Sequence, residues 1–475
     1  MNDQVTETYD VIVIGGGTAG SNAARTAGSM GSKVLMIHRD DLQNLCIERG
    51  CMPSKSLLAA SEVAYAARNL PQFSVAVDAE SVTPDMPGIM ARRDQQVARF
   101  LKALNEKVDH DPYQRIRGVA EFLPNEAGLK VTTATGEKFV KAKRYVLATG
   151  TEVFVPPIPG IDAVPYLTSD DVMVGKLMTV PASIAVMGAG AIGLEFATFF
   201  AGLGSQVTLI DRGSLLKQAD PEFGEELVKV FQSMGVTVLE QTAVTEVSQV
   251  EESIKLQVIT RDEPREFASD YLFIATGRKP HTASLQLERI GVELAEKGIV
   301  SCDDGQCTTN PNVYVAGDVT ADLQLLHIAE AEGKVAGYNA SVGSPEKKVD
   351  REALDMSIIF TDPPFASVGL SEREIIEQGI PYIVATRSLA ETGRAIVMGV
   401  QNGLWKMMAH KESGRILGST ILGPRGDDLI HQVHLARSLG ADVRQLATIF
   451  AYHPTLSEQF TSLVKELATQ IEHAS

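Results

Sequence analysis

The chain has 475 residues, 44% hydrophobic and 22% charged, enough apolar material for several cores rather than one. A formal charge of −17 and an isoelectric point near 5.1 exclude nucleic acid and anionic membrane surfaces as partners, since both would repel it. No apolar run reaches membrane-spanning length, and the polar, acidic start from Met1 to Asp10 leaves no room for a signal peptide or basic transit sequence, so a cytoplasmic setting is expected.

Val11-Ile12-Val13-Ile14 is a continuous apolar strand running into Gly15-Gly16-Gly17-Thr18-Ala19-Gly20, an Ala-rich helix to about Met30, and the strand Val34-Leu35-Met36-Ile37. This is the pattern of a βαβ dinucleotide unit. Two thiols then lie five positions apart in Cys46-Ile47-Glu48-Arg49-Gly50-Cys51-Met52-Pro53-Ser54-Lys55. On a regular helix their Cα atoms would stand about 8–9 Å apart, beyond disulfide reach, so the segment is predicted to bend or only to begin its helix. Pro53 suits a first helical turn and Gly50 a distorted approach, which places both sulfurs near a helix N-terminus, where the dipole favours thiolate. Four cysteines are too few for a secreted disulfide framework, so a disulfide here is expected to be catalytic.

The strand Tyr145-Val146-Leu147 ends in Ala148-Thr149-Gly150, and the dinucleotide pattern then returns as Ile184–Met187, Gly188-Ala189-Gly190-Ala191-Ile192-Gly193, a helix and Val207–Ile210. One offset of 173 residues carries Gly15, Gly17 and Gly20 onto Gly188, Gly190 and Gly193, and His38 onto Asp211. Two such turns in register imply two dinucleotides, each with its pyrophosphate at a helix N-terminus. Asp211 stands where a carboxylate binds a ribose 2′-hydroxyl and repels a 2′-phosphate, which points to NAD over NADP, with Arg212 pulling the other way.

Further on, Leu272-Phe273-Ile274 ends in Ala275-Thr276-Gly277-Arg278, and Val313-Tyr314-Val315-Ala316-Gly317-Asp318 delivers a carboxylate at a strand end. Cys302 and Cys307 repeat the five-residue spacing away from any nucleotide turn and are read as structural. From about residue 351 the texture changes to alternating strands, as in Ser357–Phe360, and helices such as Asp427 to Gly440, an α+β block of the kind that forms interfaces. His431 and His434 in that block have no completing ligand, and no metal site is expected.

Both glycine turns, the Cys46 to Lys55 segment, Glu195, Ala275 to Arg278, the strand ending at Asp318, and His453-Pro454-Thr455-Leu456-Ser457-Glu458 together resemble the pyridine nucleotide-disulfide oxidoreductases, with the dihydrolipoyl dehydrogenases as the nearest branch. The resemblance implies an α/β fold with two Rossmann-like dinucleotide-binding domains, for FAD and NAD, and a C-terminal α+β dimerisation domain. The boundaries it suggests are 1–155 for the FAD domain with its redox disulfide, 156–277 for the NAD domain, 278–350 for a central domain completing the FAD site, and 351–475 for the interface. It also implies that Cys51 faces the flavin and Cys46 exchanges with substrate, while His453, oriented by Glu458, serves as acid–base residue in a homodimer. Lys55 and Glu195 match an ion pair beside the flavin, and Asp318 a contact to the ribityl chain. Gly118, Thr149, Gly150, Ile192, Gly277, Arg278, Leu325, Leu326 and His327 complete the cofactor contacts the resemblance implies.

Three positions depart from the pattern. His38 replaces the usual Glu for the adenosine ribose, Gln43-Asn44-Leu45 replaces Gly-Gly-Thr, and Ala451-Tyr452-His453 lacks a His two positions before His453. The activity the resemblance implies is electron transfer between a dihydrolipoyl group and NAD⁺ through FAD and Cys46–Cys51, with the lipoyl domain of a 2-oxo acid dehydrogenase or glycine-cleavage complex as partner. A diaphorase or another disulfide or quinone reductase of the family is the alternative, and an FAD- and NAD-binding redox sensor without turnover is a third. Mercuric ion reduction is disfavoured, because a cysteine pair near the C-terminus ordinarily serves it and the sequence here reads Gln470-Ile471-Glu472-His473-Ala474-Ser475.

Overall fold

The computed structural model describes residues 7–39, 45–108, 110–124, 128–320 and 323–474. The chain divides into two compact units, each assembled from three stretches. The first comprises Met1–Ser56, Met90–Phe154 and Gly277–Leu354; the second comprises Leu57–Ile89, Val155–Thr276 and Asp355–Ser475.

In the first unit the strands Gln114–Arg117, Val34–His38, Glu7–Ile14, Gly136–Leu147 and Val313–Val315 run parallel, side by side in that order. Leu129–Thr133 and Val119–Phe122 add antiparallel pairs to the flank of the long strand Gly136–Leu147. Successive residues of one strand enter different cores: Ile12 and Ile14 pack with Leu35, Phe122 and Leu147, whereas Val11 and Val13 pack with Met36, Val146 and Tyr314. Burial on both faces is why these strands read as unbroken apolar runs rather than alternating ones. Helix Thr18–Ser29 covers one face and meets helix Leu326–Val342 through small residues, Ala19 and Ala23 against Gly333 and Gly337.

The second unit carries another parallel sheet, in the order Thr237–Leu239, Gln206–Ile210, Ser183–Met187, Tyr271–Ile274, Tyr166–Thr168. Its pairing Ile184↔Val207 is the pairing Val11↔Val34 of the first unit displaced by the same 173 residues, so the repeat read in the sequence is a repeat of register. The same unit holds an antiparallel five-stranded sheet in the order Met356–Ile359, Phe365–Gly369, Ile416–Leu422, Leu404–His410, Tyr382–Ser388. Helices Gly426–Ser438 and Glu458–Ala474 pack on it around the fully buried Trp405, whose indole donates to Ser419 Oγ at 3.0 Å. Lys406, 3% exposed, sits among three carboxylates, its Nζ 3.0 Å from Asp220, 2.5 Å from Glu222 and 2.5 Å from Glu372. The architecture is the expected one, two Rossmann-like sheets and a C-terminal α+β block. Among the described residues no helix is long and apolar enough to cross a membrane.

Candidate active site and dinucleotide sites

The two glycine turns make the same backbone contacts. Gly15 N donates to Ile37 O at 2.8 Å, and Gly188 N to Ile210 O at 2.8 Å. Each turn enters at positive φ, +120° at Gly15 and +104° at Gly188, where a Cβ would strike the carbonyl of Ala148 or Ala275 at 2.0 or 2.4 Å. At the third glycine the following helix crosses its own turn. A Cβ on Gly20 would lie 2.0 Å from Gly15 O, and one on Gly193 1.8 Å from Gly188 O. A Cβ added to either middle glycine, Gly17 or Gly190, would meet nothing within 4 Å among the described residues beyond its own helix and chain neighbours, so the open side of each turn can take a pyrophosphate against backbone N–H groups.

The first turn opens into a cleft of about 920 Å³, mouth included, whose walls include His38, Arg39, Leu45, Gly118, Thr149 and Gly150. Thr149 Oγ1 is buried there with no hydrogen-bond partner among the described residues. A buried hydroxyl left unsatisfied beside an open glycine turn fits a polar ligand, and the cleft suits FAD. On the same unit Arg278 donates from Nε to Thr151 Oγ1 at 2.8 Å and from Nη2 to Thr151 O at 2.9 Å, and Thr151 Oγ1 donates to Asp318 Oδ2 at 3.5 Å. Burial pushes the Asp318 carboxyl above its ordinary value, against the pull of Arg278. A hydroxyl-rich ligand that donates to Asp318 would relieve that desolvation. Leu325 begins helix Leu326–Val342, and His327 Nε2 lies 3.0 Å from Leu354 O; a carbonyl only accepts, so this nitrogen carries the proton.

At the second turn both Asp211 oxygens are engaged. Ala189 N donates to Oδ2 and Gly213 N to Oδ1, each at 2.7 Å. The carboxylate thus ties the glycine turn to the loop after the second strand, and its remaining lone pairs are available to a ribose. Ile192 and Glu195 follow on helix Ala191–Leu203, where Glu195 Oε1 accepts from Phe360 N at 3.2 Å. Lys55 belongs to the first unit and Glu195 to the second.

The thiols occupy a broken helix, as their spacing predicted. Leu45–Glu48 forms one short turn, and a new helix, Cys51–Arg68, begins after the break at Arg49 and Gly50. Gly50 is needed there: a Cβ would meet Cys46 Cα at 2.9 Å and Leu45 O at 3.0 Å. Both cysteines are in the thiol form, Cys46 half-buried and Cys51 exposed, and Leu45 beside them lines the cleft of the first turn. Hydrogen bonding to Cys51, then burial, pushes the Cys46 thiol up, against the expectation that the helix end favours thiolate at both sulfurs. Two adjacent thiols lose their protons in sequence, because a first thiolate opposes the second.

Glu458 opens helix Glu458–Ala474 and orients His453, with Oε1 2.8 Å from His453 Nδ1 while Oε2 accepts from Thr455 N at 2.9 Å. The partnership with His453 first, then the Thr455 N–H, holds the Glu458 carboxyl below its usual range. A carboxylate accepts, so Nδ1 carries the ring proton and Nε2, on a side chain 78% exposed, is left to exchange one.

Cys302 packs on the core of Leu285 and Val300, whereas Cys307 packs on the other core, of Tyr314 and Ala336. They face different sides of one sheet. Gln43 and Asn44 lie outside the described residues. The sequence reading missed Thr151, Arg39 and His281 in the first cleft, and Glu332, whose Oε2 accepts from Gly317 N at 2.7 Å just before Asp318. A Thr directly after the Ala-Thr-Gly return was a usable signal for Thr151; the others depend on contacts remote in sequence.

The family profile described as pyridine nucleotide-disulphide oxidoreductase matches residues 9–333, and the dimerisation-domain profile of the same family matches residues 356–464. The chain is 34% identical over 463 residues to a mercuric reductase of Bacillus cereus, covering 96% of this chain and 71% of that protein. It is 31% identical over 455 residues to a dihydrolipoyl dehydrogenase of Chlamydia muridarum, covering 95% of each. A solved structure, the Cu(II) complex of the HOCl-induced flavoprotein disulfide reductase RclA from Escherichia coli, superposes with a TM-score of 0.84 at 27% identity, over 97% of this chain and 100% of that one.

Proposed function

The chain belongs to the pyridine nucleotide-disulphide oxidoreductase family, and we propose that it passes electrons between NAD(H) and a dithiol–disulfide substrate of the dihydrolipoyl class through FAD and the Cys46–Cys51 pair. The observation that carries this reading is the pair itself, two thiols on either side of the Gly50 break with Cys51 acting on the Cys46 sulfur, and neighbouring Leu45 lining the cleft that suits FAD. FAD, when bound, supplies a two-electron store between the nicotinamide and the disulfide.

The rest of the chemistry is assigned to the chain. In the reducing direction His453 Nε2 takes the Cys46 proton, the resulting thiolate attacks a substrate disulfide and forms a mixed disulfide, and the expelled substrate thiolate takes that proton back from Nε2. Cys51 then attacks the Cys46 sulfur, releases the second substrate thiol and closes Cys46–Cys51, so two electrons leave the protein dithiol. The reverse sequence oxidises a dihydrolipoyl group. Glu458 keeps Nδ1 protonated and Nε2 exchangeable throughout. Asp211 supports NAD over NADP, since a carboxylate at that strand end repels a 2′-phosphate.

His453 and Glu458 are assigned to the thiol pair of a second copy of the chain. Phe450 and Tyr452 flank the histidine at 89% and 85% exposure, apolar surface that suits a homodimer made through residues 351–475. The domain bounds proposed with this reading are 1–155, 156–277, 278–350 and 351–475.

The test is NADH oxidation by FAD-replete protein with lipoamide, glutathione disulfide, a quinone and Hg(II) as acceptors. The reading predicts the highest kcat/KM with lipoamide, and no lipoamide turnover would overturn it. Reduction of a thiophilic metal ion at the same sulfurs is the second reading, supported by the 34% identity to a mercuric reductase, and Hg(II) turnover without lipoamide turnover would establish it.

A further inference from the structure

The end of strand Val34–His38 is where a dinucleotide fold presents a side chain to the adenosine ribose, and here that position is His38 rather than a carboxylate. The next residue, Arg39, reaches a residue 242 positions away: its Nη1 lies 2.6 Å from His281 Nε2. A guanidinium has donors only, so Nε2 accepts and the imidazole carries its proton on Nδ1. That nitrogen lies 3.6 Å from Glu152 Oε2, and Glu152 Oε1 lies 3.2 Å from Lys279 Nζ. Glu152 and Lys279 face each other across the antiparallel strands Thr151–Val153 and Arg278–Pro280, which fixes the carboxylate relative to the ring. Arg39 and His281 both line the cleft of the first glycine turn, on the same wall system as His38 and Gly118.

We propose that Arg39 is the adenosine-recognition residue of the first site, with His281 and Glu152 as the positioning residues that hold its guanidinium at the cleft. The glycine turn takes the pyrophosphate, so the portion of the ligand reaching the end of strand Val34–His38 is the adenosine ribose, whose hydroxyl oxygens accept from guanidinium N–H groups. Where a carboxylate accepts from the ribose diol, Arg39 donates to it, and the polarity of the contact is reversed. A long exposed arginine is a poor anchor while it samples many rotamers; the bond to His281 removes that freedom before the ligand arrives. The proposal rests on the reading of this cleft as the FAD site.

The test removes flavin from the holoenzyme and measures rebinding of FAD and of FMN, which lacks the adenosine, by flavin fluorescence. Arg39→Ala and His281→Ala are expected to weaken FAD by about ten-fold or more, the scale of a hydrogen bond to a charged group, and to leave FMN unchanged. His281→Asn, which keeps an acceptor, is expected to restore part of the loss, and Glu152→Gln to give a smaller one. FAD affinities within about two-fold of the unsubstituted protein, or FAD and FMN falling together, would overturn the proposal. Binding of neither flavin by the unsubstituted apoprotein would instead overturn the FAD reading of the cleft, and the proposal with it.

Discussion

Alanine at the third glycine of each turn separates the two dinucleotide sites. At Gly193 the new Cβ would lie 1.8 Å from Gly188 O and 3.3 Å from Ala275 Cβ; at Gly20 it would lie 2.0 Å from Gly15 O and 3.3 Å from Ala148 Cβ. The obstructing atom is backbone in both cases, so no side chain can swing aside. To restore ordinary contact the helix and its turn must separate by about 1.5 Å, and overpacking of this kind costs about 1–3 kcal/mol. That strain falls on the N–H groups that cradle the pyrophosphate, so it appears as weaker binding, about 5- to 150-fold. Gly20, Gly15 and Ala148 all belong to the first unit, and Gly193, Gly188 and Ala275 to the second, so the effects should not cross. Gly193→Ala is expected to raise the NADH dissociation constant with flavin content unchanged; Gly20→Ala is expected to lower the ratio of bound flavin to protein. NADH titration and the visible-to-ultraviolet absorbance ratio read the two quantities on the same samples. The reasoning fails if Gly193→Ala strips flavin while NADH binding holds, or if neither variant shifts its own ligand by more than about two-fold.

Lys406→Met leaves Asp220, Glu222 and Glu372 facing one another, and denaturant unfolding at pH 8 should show a loss of about 3–5 kcal/mol. Burial alone would push the Lys406 ammonium down, but its three carboxylates hold it above the ordinary value, so its stabilisation is complete below about pH 10.4 and is lost only as pH rises through the higher folded value. Glu458→Gln should slow disulfide exchange by about ten-fold or more in stopped-flow measurements while leaving flavin reduction by NADH unchanged, since only the orientation of His453 is lost. Cys302→Ser and Cys307→Ser, alone or together, should leave lipoamide turnover unchanged, because each sulfur packs in a different core away from the Cys46 segment.

Local pattern made most of the site legible. The 173-residue offset is visible in sequence because each turn hydrogen-bonds to the second strand of its own unit, Gly15 N to Ile37 O and Gly188 N to Ile210 O, and the same offset governs the register Val11↔Val34 and Ile184↔Val207. The break between Cys46 and Cys51 follows from helix geometry, whereas the His453–Glu458 pair is implied by the family resemblance of the segment from His453 to Glu458. What the sequence did not disclose is made by contacts far apart along the chain. Arg39 to His281, Glu195 to Phe360 N and Lys406 to Asp220 have no periodicity or spacing that announces them. Cys46 shows a subtler limit: the helix end was read from local order, but hydrogen bonding to the neighbouring sulfur, then burial, pushes its thiol up. The bland reading of Cys302 and Cys307 fits their packing on opposite sides of a sheet.

The central claim is that Cys46 and Cys51 store an electron pair in series with the flavin, and anaerobic titration of the oxidised holoenzyme with NADH tests it directly. Two acceptors in series require about two equivalents of NADH per flavin, the first leaving the flavin oxidised with a long-wavelength charge-transfer band, and about one equivalent for Cys46→Ser/Cys51→Ser. Complete flavin bleaching of the unsubstituted protein at about one equivalent, without that band, would contradict the account.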